Sequence, residues 1–120
     1  MANGVNFENA QPILRVEDMK RALDFYVGKL EFQNANWGDE SFTYVTRNQA
    51  LIYLCQGDQG RGGAWVWVGV EDAKKLHDQL TARGVKIVMP LKNRSWALEF
   101  QAEDPDGNVL RFGSEPVSDI

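Results

Sequence analysis

Cysteine occurs once in the 120 residues, at Cys55, and histidine once, at His77. A single thiol excludes an internal disulfide framework. The longest uninterrupted apolar stretch, Ala64 to Val70, falls far short of the ~18 to 20 residues needed to cross a bilayer, so no membrane partner is expected. Met1 to Leu14 lacks both the basic start and the apolar segment of a secretory leader, which makes a cytoplasmic location the expectation. Basic residues are also scarce: 13 Lys and Arg stand against 17 Asp and Glu, and no basic run exceeds two. Phosphate neutralisation needs a basic footprint, so nucleic acid is not an expected partner. The net charge of −4 serves solubility and also fits a cationic ligand. What remains, 43% apolar and 25% charged residues, describes one globular domain over residues 1–120. A chain of this size hides roughly two-thirds of its surface on folding, enough for a core without disulfides or structural metal.

Residues 1–9 show no periodicity and are expected to form a flexible arm. Gln11 to Val16 reads as a short strand, after which Asp18 caps a helix with apolar residues at Met19, Ala22, Leu23, Tyr26 and Leu30. Strands are predicted at about Phe32–Trp37, Phe42–Thr46 and Ala50–Cys55, divided by the turn formers Gly38-Asp39 and Asn48-Gln49. The plan then repeats: a strand over Ala64–Val70, a helix from Asp72 to Arg83 stopped by Gly84, and strands at Val85–Met89, Trp96–Ala102 and Val109–Phe112. A shift of 54 positions lays Val16-Glu17-Asp18 over Val70-Glu71-Asp72 and Asp24 over Asp78. A duplicated βαβββ unit follows, with modules at about 10–56 and 64–114. Asp104-Pro105-Asp106-Gly107-Asn108 has calcium-loop elements but lacks that loop's spacing and closing Glu, and reads as a hairpin turn. The four glycines of Gly57–Gly63 have no Gly-Lys-Ser/Thr ending, so no phosphate loop is expected there.

Together, Pro12 to Asp18, Phe25-Tyr26 with Leu30, and Glu103 to Asn108 resemble the vicinal-oxygen-chelate superfamily of glyoxalases, fosfomycin-resistance proteins and extradiol dioxygenases. Ala64 to Val68, and Trp96 to Phe100 running into the Asp-Pro turn, narrow the resemblance to its bleomycin-resistance branch. The resemblance implies an α+β fold of two βαβββ modules and a homodimer with clefts formed between subunits. It places Pro12 at the arm that subunits exchange. One departure is Glu31, where the family usually has a glycine; a left-handed Glu there carries about 1 kcal/mol of strain.

The resemblance also implies four cup positions that hold a metal in the enzymes, here Gln11, Tyr53, Trp65 and Arg111. An indole offers no lone pair, a guanidinium repels a divalent ion and a neutral phenol ligates poorly, leaving Gln11 alone. One weak ligand does not hold a metal, so no metal, no cofactor and no metal-dependent glyoxalase or dioxygenase activity is expected. Strand alternation places Trp67 and Gly69 beside Trp65, Ile13 and Arg15 beside Gln11, and Leu51 and Cys55 beside Tyr53. Such a wall suits a flat aromatic or cationic small molecule, with sequestration of a bleomycin-type antibiotic as the named possibility.

Trp37 and Phe42 are expected at the rim and Trp96 at the pocket mouth or the dimer seam. Trp65, Trp67 and Tyr53 equally suit core or interface packing, Arg111 equally suits a pair with Glu99, and His77 reads as a solvated helix residue. A rival reading is a cofactor-free isomerase or lyase, with Arg111 as electrophile and Tyr53 or Glu99 as proton shuttle. A raised Glu99 pKa would favour it. No other catalytic residue is expected. A pure dimerisation module, its cup filled by the protein's own side chains, is the third reading.

Overall fold

The computed structural model describes residues 4–118. Two βαβββ modules are present. The first runs β1 (Ile13–Arg15), α1 (Met19–Leu23), β2 (Gln33–Asn34), β3 (Phe42–Arg47) and β4 (Ala50–Cys55). The second runs β5 (Trp65–Gly69), α2 (Ala73–Ala82), β6 (Lys86–Asn93), β7 (Leu98–Glu103) and β8 (Val109–Ser114). Each forms its own four-stranded mixed sheet, in the orders β1-β4-β3-β2 and β5-β8-β7-β6. The parallel pairs β1–β4 and β5–β8 set the registers Ile13 to Tyr53 and Trp67 to Arg111. No helix among the described residues is long and apolar enough to cross a membrane.

The duplication extends to single bonds. Asp18 accepts from the Arg21 amide at 3.1 Å, and Asp72 from the Lys75 amide at 3.0 Å. Lys20–Asp24 and Lys74–Asp78 are matching i,i+4 pairs at 3.3 and 2.8 Å. The first helix departs from the expected single α-helix: after Leu23 it continues as a π-helix over Asp24–Lys29. The reason lies in the count of residues. The left-handed residue that ends each helix is Glu31 (φ 58°), 13 positions after its cap, in one module and Gly84 (φ 77°), 12 positions after its cap, in the other. One additional residue in a helix held at both ends is accommodated by widening a turn.

Each sheet presents one face to its helix, and the core lies between them. Leu14, Val16, Tyr26, Ile52 and Leu54 fill the first module, and Leu80, Phe100, Leu110 and Phe112 the second. His77 is not a solvated residue as expected: its side chain is 21% exposed and packs edge-on against Phe100, 5.2 Å between centroids. β2 is shorter than predicted, because Phe32 is buried in the core and Gly38 (φ 82°) opens a loop held by Asp39. β6 is longer than predicted and passes through Pro90, which an edge strand tolerates at a register irregularity.

The turn 104–108 joins the modules. Asp106 accepts from the Glu17 amide and from Arg21, both at 2.9 Å. Asp104 accepts from the Tyr26 hydroxyl at 2.8 Å, and the buried Asn108 spans from the Arg15 carbonyl to the Ala64 amide.

Candidate functional site

The helix-free face of each sheet carries the residues that the sequence singles out, in two separate groups. On the first sheet, Tyr53 of β4 stacks on Phe42 of β3 at 5.3 Å and 16°. Trp37 meets Phe42 edge-on at 5.8 Å, and Tyr44 meets Tyr53 at 5.4 Å. Trp37 is held from the loop before β3, its carbonyl accepting from the Thr43 hydroxyl at 2.8 Å. Tyr44 was not singled out by the sequence reading, although it lies two positions from Phe42 on the same face.

On the second sheet, β5 alternates as expected: Trp65 and Trp67 are 61% and 51% exposed while Val66 and Val68 pack against the core. The Trp67 indole lies across β8 over Gly113, where any Cβ would collide with the ring. Glu99, fully buried, accepts from Arg111 through Nε at 2.7 Å and Nη2 at 3.3 Å, and its second oxygen also pairs with Arg94. Of the two readings for Arg111, the pair with Glu99 is the one formed. The two guanidiniums lie over indoles, Arg111 over Trp67 at 5.5 Å and Arg94 over Trp96 at 5.3 Å. Trp96 is not on a strand as predicted but in the bend before β7, closed by an Arg94 amide to Ala97 carbonyl bond of 2.8 Å.

Arg94 and Gly113 escaped the sequence reading. The first lies past Pro90, where the strand was expected to have ended, and the second matters through a side chain that it lacks.

Gln11 is not brought to this face by a strand. β1 begins at Ile13, and Gln11 lies exposed in the preceding segment, while the Pro12 carbonyl accepts from the Tyr53 amide at 3.0 Å. The four positions Gln11, Tyr53, Trp65 and Arg111 therefore do not fit a divalent metal: one is off the strand, one is stacked on Phe42, one has no lone pair, and one is a cation committed to Glu99. No cluster of three or more His, Cys, Asp or Glu able to hold an ion occurs among the described residues.

Hydrogen bonding from Arg111 holds the Glu99 carboxyl below its ordinary pKa. That is the opposite of what a proton shuttle at neutral pH needs. A hollow of about 620 Å³ lies elsewhere, at the seam of the modules beside α2; Gly69 lines it, but none of the singled-out aromatic residues nor Arg111 does.

Residues 9–112 match the Glyoxalase/Bleomycin resistance protein/Dioxygenase superfamily. The chain belongs to that superfamily. Among solved structures, this superfamily member is similar to the bleomycin-binding protein from bleomycin-producing Streptomyces verticillus complexed with copper(II)-bleomycin. The two are 26% identical, with 92% of this chain and 98% of that one covered and a TM-score of 0.76. An antibiotic-binding protein from a Streptomyces species is 24% identical over 92% and 98% of the chains, TM-score 0.78. TioX from a Micromonospora species is 20% identical over 91% and 99%, TM-score 0.78. These two show the shared fold alone. None of the curated proteins matches the sequence.

Proposed function

We propose that this protein binds and sequesters a flat aromatic small molecule, without metal, in clefts that a homodimer forms between the first sheet of one protomer and the second sheet of its partner. One observation carries the reading: all four tryptophans are at least half exposed, and all belong to or border the helix-free faces. Burying one large aromatic side chain is worth ~1.5 to 3 kcal/mol, so an aromatic face left open in the single chain suits a second surface and a ligand between. Site roles follow for Trp65, Trp67, Tyr53, Arg111, Trp96, Trp37 and Phe42; Gln11 keeps at most a polar contact at the rim. The isomerase or lyase alternative is less well supported, because Glu99 is held ionised between two guanidiniums and has no proton to shuttle.

A bleomycin-type glycopeptide is the first ligand to test, since the bleomycin-binding protein is similar over 92% of this chain. Thermal melting with metal-free and copper-loaded drug checks it. At drug one hundred times above Kd the fold gains about 2.7 kcal/mol. Absence of any shift would remove bleomycin as ligand. A shift with metal-free drug that chelator abolishes would overturn metal-free binding.

A further inference from the structure

The second sheet carries a local charge opposite in sign to the chain's net −4. Its helix-free face holds Arg94 and Arg111 around one carboxylate, Glu99, so that among the described residues two cations share one paired acid. Lys92 stands opposite Glu99 in register, and the other acidic residue of β7, Glu103, is paired with Lys86 at 3.1 Å. Glu99 is completely buried, whereas the side chains of Arg94 and Arg111 are 29% and 36% exposed. Solvent, or a ligand, therefore meets guanidinium and not carboxylate.

Each guanidinium also lies over an indole, so the electron-rich faces of Trp67 and Trp96 already hold cations. At either of these two rings a ligand cation would have to displace an arginine and approach a like charge. An oxyanion meets the reverse situation. Arg111 donates to Glu99 through Nε and Nη2, leaving Nη1 free, and planar guanidinium donors suit carboxylate and phenolate oxygens. Trp65, two positions before Trp67 on the same face of β5 and 61% exposed, offers a ring for stacking near Arg111.

We infer that this wall selects, among flat aromatic molecules, those that carry an anionic oxygen, a carboxylate or a phenolate, and rejects their cationic counterparts. The inference rests on the aromatic-binding reading above, gives the charge of its ligand, and replaces the cationic ligand expected from the sequence, counting against any cationic form of the bleomycin-type drug.

Isothermal titration of the full chain at neutral pH with naphthalene-2-carboxylate, naphthalene-2-carboxamide and naphthalen-2-ylmethylammonium tests it, because the three share a ring and differ in charge. The carboxylate is expected to bind at least tenfold tighter than the amide, and the ammonium most weakly. Arg94→Gln, which leaves Glu99 its bidentate partner Arg111, is expected to lower carboxylate affinity more than amide affinity and so reduce the preference several-fold. Glu99→Gln, with its fold checked by circular dichroism, moves the preference the other way by uncovering both cations. Equal binding of carboxylate and amide, or tightest binding of the ammonium, would overturn the inference while leaving an aromatic site in place. Binding of none of the three would overturn the aromatic-binding reading, and this inference with it.

Discussion

Glu99 is an acid that cannot be removed without consequence. Buried and shared by two guanidiniums, it is ionised in the fold, and its pKa lies below the ordinary value chiefly because Arg111 donates to it. A folded pKa below the unfolded one gives stability that is present above the ordinary carboxylate value, about 4.3, and lost as pH falls through the folded value. Glu99→Gln is therefore expected to melt lower than wild type at pH 7, and the difference should narrow once pH drops below about 4. Melting temperatures across pH 3 to 8 check this; parallel curves would show that the carboxylate contributes nothing. The pair itself was legible, since alternation puts Glu99 and Arg111 on one face, but Arg94 was not, because Pro90 reads as a strand end. A second residue, Glu31, is left-handed as the departure from the family glycine suggested, and it pairs with Arg83 at 3.2 Å. Glu31→Gly and Glu31→Ala both lose that pair, yet only alanine keeps the backbone strain. The glycine variant is expected to be about 1 kcal/mol the more stable of the two in urea denaturation.

Among the elements, order and type were legible and boundaries were not. Caps at Asp18 and Asp72 are written in local chemistry, so both helix starts fall within a residue of expectation. The π-helix was invisible, because apolar spacing alone does not show that the first module holds one residue more between cap and left-handed stop than the second. The Asp104–Asn108 turn was legible as a turn, but its partners lie 44 to 93 positions away, and only the fold brings them. There the Tyr26 hydroxyl meets Asp104, and burial followed by the Asp104 charge pushes the phenol well above its ordinary pKa. Tyr26→Phe leaves Asp104 short of one donor and is expected to cost about 1 to 3 kcal/mol. A raised folded pKa gives stability that is full below the unfolded value, about 10, and lost as pH climbs above it. Wild type should thus lose stability above pH 10 more steeply than the phenylalanine variant, as alkaline melting curves will show. Equal slopes would mean that the phenol ionises as freely in the fold as out of it.

For the molecule as a whole, shape supports the proposed homodimer. Its radius of gyration is 15.5 Å and its extents are 46 × 45 × 24 Å; a compact chain of this length has a radius of about 13.6 Å. A plate this thin leaves both helix-free sheet faces without a cover, and large apolar side chains remain open on them. The segment before β1 adds Val5 and Phe7, 73% and 96% exposed, ahead of Pro12; residues 1–3 of the expected arm lie outside the described residues. A stable homodimer buries roughly 1,200 to 2,000 Å² in total, which the proposed pairing of two such faces can supply. Sedimentation equilibrium should therefore find dimers at micromolar concentration. Pro12→Gly loosens the backbone where the arm leaves β1, and it is expected to weaken association by about tenfold while Trp67, Arg111 and Glu99 keep their arrangement. Trp65→Ala should act in the other direction, lowering affinity for an aromatic ligand by about 2 kcal/mol with the dimer intact. If Trp65→Ala dissociates the dimer and Pro12→Gly does not, the exposed indole is an interface residue and the ligand must be sought elsewhere. A monomer that binds ligand at full affinity would equally defeat the two-chain cleft.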